Sequence, residues 1–384
     1  MEPFKNMINA ALIRAMAEHL QRAAKSTGRA TAFHRRAFET VALDGLEALE
    51  LKDRIRQVAA ALVAALAADT DADTACRLME AALGPPGVGD DLALLRSSDA
   101  GLAGWAVWPL AEAVTLITLD SAPTRGLQAL HAMTQRATAE FAIRPFLARH
   151  PELSFAALHR WATDPSAHVR RLVSEGSRPR LPWGLRLQAL VRDPSPTLPL
   201  LERLQDDASA YVRRSVANHL NDIAKDHPAI VADWLDTHLP GATPERRALL
   251  RHACRGLVKQ GDARTLAAWG LGQQLKGNAA LTLSATQVQL GGELGLQLAL
   301  RSTAVQPQRL AIDYAVHHVK ANGSLSPKVF KGWVIELGPR EQRVLAKRHS
   351  LKPVTTRRYH AGEHRVDVRI NGQVLAQAAF DLQV

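Results

Sequence analysis

The chain is poor in cysteine, aromatic residues and long apolar runs, and each shortage removes a class of protein. Only Cys76 and Cys254 occur in 384 residues, without metal-ligand spacing and too few for a disulfide framework. A reducing compartment, the cytoplasm, is therefore expected, with both thiols as small buried side chains. No uncharged apolar stretch approaches the ~20 residues that span a bilayer. The opening MEPFKNMINAALIRAMAEHL mixes charged and apolar residues where a secretion signal would show a charged head, an apolar run and a cleavage site, so neither export nor a membrane partner is expected. Acidic residues are also in deficit: 37 Asp and Glu face 48 Lys and Arg, for a formal charge of +11. That excess points to an anionic partner, nucleic acid first. A hydrophobic share of 47% still supports ordinary globular cores, and the length suits about two domains.

What is present changes texture once. From Lys5 to about Gln274 the chain reads as helix after helix, rich in Ala, Leu, Arg and Glu, with breaks at 26–28, 84–89, 151 and 240–244. Beyond Gly277, Leu281, Leu283, Leu296, Leu298, Leu300, Val366, Val368 and Ile370 fall in alternating strings, and Asn322-Gly323 and Asn371-Gly372 signal hairpin turns. The reading is a mainly α protein: a HEAT-like helical solenoid over 1–277, then a small all-β immunoglobulin-like sandwich over 278–384. The sandwich lacks the Cys, Trp, Cys pattern of antibody domains, so architecture alone is implied.

A repeat lies within the helical part. DPSAHVRRLVSE (164–175) recurs as DASAYVRRSVAN (207–218), a spacing of about 43 residues within the range of HEAT repeats, and LLRHACRGLV (249–258) is a candidate degenerate third copy. At 100° per residue Val212, Val216, Leu220 and Ile223 share one helix face, while Arg214, Asn218 and Asp222 share the other. Val169 and Val173, against Arg171 and Glu175, repeat the arrangement. The polar stripes fit either ordinary i,i+4 surface pairs or a ligand-facing surface, and spacing leaves both open.

VRRLVSEGSRPRLPW (169–183) and VRRSVANHLNDIAKDHP (212–228) resemble the two signature segments of AlkC, a branch of the alkylation-repair HEAT-like DNA glycosylases. TAEFAIRPF (138–146) is similar to a third segment, and MEPFKNMIN to the family's start. The resemblance runs through the sandwich. It implies hydrolysis of the bond between deoxyribose C1′ and a cationic methylated base, chiefly 3-methyladenine and 3-methylcytosine, by a monomer acting on double-stranded DNA with no metal or organic cofactor. It places catalytic carboxylates at Glu140, Glu175 and Asp222, and at Trp183 an aromatic residue against the lesion nucleotide. Chemistry agrees, because a methylated base is already a good leaving group, leaving the enzyme to stabilise an oxocarbenium-like sugar and present water. Glu175 and Asp222 are expected beside the sugar and water, with Glu140 nearby; an i,i+4 pair with Arg144 is the plainer alternative for Glu140, and a core position for Trp183. His219 and His227 have no closed ligand set around them and read as structural. No motif lysine is placed for Schiff-base chemistry, so strand cleavage is not expected.

Phosphate contacts are expected from Arg171, Arg178, Arg180, Arg214 and Lys225. The sandwich carries 14 Lys and Arg against 7 Asp and Glu. Many lie in 320–358, read as a basic, loop-rich stretch with Lys328, Lys331, Arg357 and Arg358 among Phe330, Trp333 and Tyr359. It reads as a second DNA contact or as a solubilising surface. Two rival functions remain: a HEAT scaffold with an immunoglobulin-like module and no catalysis, and an AlkD-type preference for lesions such as 7-methylguanine. Bending of the duplex and flipping of the base also both stay open.

Overall fold

The computed structural model describes residues 3–355 and 357–384. They divide into two compact units: one built from residues up to 226 with 243–253, the other from 227–242 with 254–384. The change from helix to strand falls at Gly277, but three helices before it group with the strands rather than with the first unit. Among the described residues no helix is long and apolar enough to cross a membrane.

The first unit begins with a 3-10 turn, Phe4–Met7, and helices α1 (Ala10–Ser26), α2 (Arg35–Leu43), α3 (Leu51–Ala64) and α4 (Ala72–Ala81). Asn9 and Asp71 start α1 and α4 by accepting the amide protons of Leu12 and Thr74, as N-cap side chains do. Next come α5 (Val107–Thr118), α6 (Pro123–Thr134), α7 (Ile143–Arg149), α8 (Pro151–Trp161) and α9 (Ala167–Gly176). Prolines at the first position of α6 and α8 cost no helical hydrogen bond there. After α10 (Gln188–Arg192) and α11 (Leu198–Leu204), α12 (Ala210–Ile223) packs on α9, and α14 (Pro244–Ala253) packs on α12 in turn.

The repeated sequence is repeated as geometry. Asp164 Oδ1 accepts the Ser166 amide and Asp207 Oδ1 the Ser209 amide, each at 2.8 Å, opening α9 and α12 alike. Arg170 and Arg213 fold back so that Nη1 donates to the carbonyls of residues 164 and 165 or 207 and 208. Each Asp also ties its copy to an earlier element: His131 Nε2 on α6 lies 2.8 Å from Asp164 Oδ2, and Arg170 Nε of the first copy donates to Asp207 Oδ2 at 2.6 Å. The first Arg of each "VRR" is thus structural, and only the second, Arg171 or Arg214, is left to the polar stripe. Val169, Val173, Val212, Val216, Leu220 and Ile223 are buried, as the periodicity predicts. The candidate third copy is not one helix: 249–258 ends α14, breaks at Cys254 and resumes in α15 (Arg255–Gln260).

In the second unit α13 (Pro228–His238) packs on α16 (Ala263–Ala268), where Arg264 bridges Asp233 and Asp236 at 2.7 and 2.6 Å. The immunoglobulin-like sandwich has two sheets, ordered β1-β3-β6 and β2-β8-β7-β4-β5, from β1 (Gly277–Leu283), β2 (Gln287–Gln289), β3 (Glu293–Ser302), β4 (Gln308–Val319), β5 (Leu325–Leu337), β6 (Gln342–Ser350), β7 (Gly362–Ile370) and β8 (Gln373–Gln383). All pairs are antiparallel except β2 with β8. Leu294, Leu296, Leu298 and Leu300 of β3 meet Ile312, Tyr314, Val366, Val368 and Ile370 in its core, the alternate positions along each strand. Asn371 and Gly372 both have positive φ, 48° and 84°, the conformation a two-residue hairpin requires. One expectation fails here: 320–358 is not loop-rich. Most of it is β5 and β6, because Val329, Phe330, Trp333, Ile335, Val344 and Leu345 favour strands while Lys328 and Lys331 stand on exposed positions.

Candidate functional site

The stripes on α9 and α12 converge with the turn before α7. Glu140 Oε2 accepts from Thr138 Oγ1 and from Arg171 Nη1, both at 2.6 Å. Arg171 also lies 3.8 Å from Glu175 Oε1 and stacks over the Tyr211 ring at 5.0 Å. Glu175 Oε1 accepts from Arg178 Nη1 and Oε2 from Ser215 Oγ, again at 2.6 Å. Arg178 reaches onward to Asp222 Oδ2 at 2.7 Å, and Lys225 Nζ takes Asp222 Oδ1 at 2.7 Å. Three carboxylates and three cations therefore alternate: Glu140, Arg171, Glu175, Arg178, Asp222, Lys225.

Burial alone pushes the Glu175 carboxyl up, but Arg171, Arg178 and the Ser215 hydroxyl together carry it below the ordinary carboxylate range. Glu175 is thus an anion in a buried setting, where neighbouring charges act strongly. Arg178 feels the converse: burial opposes its charge, and Glu175 and Asp222 more than restore it.

Glu140, Glu175 and Arg178 line a cleft of about 820 Å³ whose remaining walls are largely apolar, including Trp105, Trp108 and Trp183. Trp183 is 61% exposed, so it is no core residue, and its φ of 64° is a conformation that L side chains adopt at a cost. Its loop is held from beneath. Lys52 Nζ donates to the Trp183 carbonyl, and buried Arg144 donates to the carbonyls of Gly176 and Leu185. Across the cleft Trp108 stacks on Phe141, with ring centres 4.5 Å apart, and Trp105 follows at 6.1 Å. Gly104, φ 63°, makes the bend that presents Trp105: a Cβ there would sit 2.4 Å from the Leu95 carbonyl oxygen.

The residues expected from sequence fall into different places. Glu140 and Glu175 share the cleft wall, whereas Asp222, 1% exposed, stands behind Arg178. Glu140 pairs with Arg171 and not Arg144, because it precedes the start of α7 and the i,i+4 spacing spans no continuous helix. Arg171 and Arg178, expected on phosphates, are drawn into the carboxylate row. Arg180 is bidentate on Asp226. Arg214 is exposed, and Lys225 is half-exposed while holding Asp222. In the sandwich Lys328, Lys331 and Arg358 are exposed, while Arg357 bonds His318 and lies over Tyr359. His219 is fully buried with Nδ1 2.9 Å from the Ser174 carbonyl, a core residue. Thr138, Ser215, Tyr211, Lys52, Trp105, Trp108 and Phe141 were not foreseen; Thr138 and Phe141 flank Glu140 within the segment already singled out, and Trp105 and Trp108 are a three-residue-spaced pair in an otherwise aromatic-poor chain.

Residues 278–384 match the family described as "Uncharacterised protein YhaZ, C-terminal Ig-like domain". Protein YhaZ of Bacillus subtilis is 42% identical over 266 residues, which are 67% of this chain and 71% of that protein. The alkylpurine DNA glycosylase AlkC of Pseudomonas fluorescens, solved bound to DNA containing an abasic site analog, is 33% identical, with a TM-score of 0.88 over 100% of both chains. A likeness at that identity through the helical part and the sandwich alike shows that the chain belongs to the AlkC family.

Proposed function

We propose that the protein is a monofunctional DNA glycosylase that removes cationic methylated bases, 3-methyladenine and 3-methylcytosine, from double-stranded DNA in the cytoplasm and so begins base excision repair. The observation that carries this reading is the pairing of ionised Glu175 with Glu140 on one wall of an aromatic cleft, in a chain whose Pseudomonas relative is an alkylpurine DNA glycosylase. As the C1′–N bond breaks, its electron pair neutralises the base and positive charge moves onto the sugar. Glu140 and Glu175 stabilise that charge; a carboxylate takes the proton of the water whose oxygen forms the new bond to C1′. Trp183 packs against the lesion nucleotide.

Charge balance gives Asp222 its part. Three carboxylates against Arg171, Arg178 and Lys225 are neutral together, and buried Arg144 adds positive charge close by, which offers little to a developing cation. Lys225 is the half-exposed member, and a DNA phosphate that draws it from Asp222 makes the row one charge more negative next to the sugar. In this reading residues 1–277 form the catalytic HEAT-like domain, and 278–384, net +7, add phosphate contacts through Lys328, Lys331 and Arg358.

Incubation with methylated duplex, followed by alkali, tests the reading: released base and alkali-labile sites are expected without strand cleavage beforehand. Glu175→Gln and Asp222→Asn should each slow single-turnover release at least about tenfold, roughly 1.4 kcal/mol of transition-state stabilisation, with little change in DNA affinity. Tight DNA binding with no base release from the unaltered protein would instead favour the non-catalytic scaffold.

A further inference from the structure

The carboxylate row leaves one feature of the cleft unused, the Phe4–Met7 turn. This turn is fixed to the protein with unusual completeness. Arg54, 1% exposed, donates Nη1 to the carbonyls of Lys5 and Ile8 at 3.1 and 2.9 Å, Nη2 to that of Glu47 at 3.1 Å, and Nε to that of Leu49 at 2.9 Å. Lys5 adds an ion pair to Glu50 at 2.7 Å. Yet the side chains held in place this way are not buried. Phe4 is 50% exposed and Met7 41% exposed, and Met7 lines the cleft. The Phe4 ring lies 5.8 Å from Trp105 and, edge to face, 6.5 Å from Trp183.

Arg54 ties the turn to 47–49 as a folding contact, and the Phe4 ring held there still leaves half its surface open beside Trp105 and Trp183. That open surface is available for binding. Phe4 links Trp105 to Trp183, and with Trp108 and Phe141 these rings stand beside or line the cleft whose wall holds Glu140 and Glu175, with Met7 of the same turn lining it. Aromatic faces attract cations, and carboxylates in the same cleft add to that preference; an uncharged base gains only stacking. We infer that Phe4 is a specificity-determining residue, and that the Phe4–Met7 turn is the outer wall of a compartment that selects a positively charged base. The inference deepens the glycosylase reading and rests on it.

The test reads binding, so it is separate from the excision assay. In a full-length Glu175→Gln background, with binding read at times short against its slowed base release, the affinity ratio between duplexes holding 3-methylcytosine and cytosine is measured for Phe4, Phe4→Ala, Phe4→Leu and Phe4→Tyr. Ala and Leu are expected to lower the ratio about five- to tenfold, and Tyr, which keeps the ring, to stay within about twofold. An unchanged ratio in Phe4→Ala overturns the role of the turn. A Phe4→Leu ratio equal to that of Phe4 overturns selection by charge, since leucine has bulk but no ring face. If the Phe4 variants behave as expected while the protein with Glu175 intact releases no base, the cleft binds cationic bases and the catalytic reading alone falls.

Discussion

Lys225 and Arg178 both hold Asp222, but burial gives them different freedom. Arg178 is enclosed and forked between two carboxylates, so losing it would strand Glu175 and Asp222 in a poorly solvated place. Lys225 has 51% of its side chain in solvent and a flexible stem, and exchanges one anion for another at small cost. Lys225→Gln is therefore expected to leave single-turnover release at saturating DNA at or up to about threefold above the unaltered rate, while affinity falls and the slope of log K against log salt flattens by about 0.9. Lost excision with unchanged affinity would mean that the lysine stays on Asp222 in the complex. The carboxylates were visible through the resemblance of 169–183 and 212–228 to AlkC segments, while the polar stripes that Glu175 and Asp222 share with Arg171 and Asn218 fitted that placement without deciding it. Their partners were not visible. A guanidinium reaches far enough that Arg171 and Arg178, assigned by sign to phosphate, find acidic neighbours on other elements first. Phe4, Trp105 and Trp183 meet across stretches of about a hundred and eighty residues, where no local pattern operates.

Helices and strands were legible for a different reason: each is written in a period short enough to read, 3.6 for Val212, Val216, Leu220 and Ile223, and 2 for Leu294 to Leu300. The misreading of 320–358 came from weighing charge above that period, since lysines on exposed strand positions cost a strand little. Inside the strands sits a feature no period announces. His318 on β4, His349 on β6 and His364 on β7 are all buried, with His318 and His364 ring centres 5.5 Å apart and Tyr314 Oη 3.1 Å from His349 Nδ1. Burial first, then Arg357 and neighbouring groups, pushes His318 down to about 3 and His349 to about 4; burial lowers His364 as well. The unfolded chain, with ordinary histidines near 6.5, binds protons that the folded sandwich refuses. Stability is therefore full above about pH 6.5 and lost as pH falls towards 4 and 3, by on the order of several kcal/mol for the cluster. Urea midpoints at pH 7.5 and 4.5 should show the drop, and His349→Gln should shrink it; a midpoint independent of pH across that window would mean the imidazoles take up protons in the fold as readily as in the unfolded chain.

At the scale of the molecule the question is where +11 charges do their work. The sandwich holds 14 Lys and Arg against 7 Asp and Glu, so the smaller part of the chain carries +7 and the larger only +4. Within the helical unit many cations are spent internally, on Asp207, Asp226 and the carboxylate row, and contribute less to a field that reaches solvent. Lys328, Lys331 and Arg358 are exposed and so are free to displace counterions from a phosphate backbone. Replacing these three together by glutamine in the full chain leaves Arg357 and its contact with His318 intact, so the sandwich core is not disturbed. If all three meet phosphates, the slope of log K against log salt should flatten by about 2.7, and affinity at low salt should fall more than at high salt, where screening has already removed most of the benefit. Excision at saturating DNA then separates two uses of the same charges. A rate equal to that of the unaltered protein means the sandwich supplies affinity alone. A lower rate means that its contacts also offset the cost of bending the duplex at the lesion, on the order of several kcal/mol. If slope and affinity both stay as they were, the charge on this domain serves solubility, and the duplex is held by Arg214, Lys225 and the rest of the helical surface.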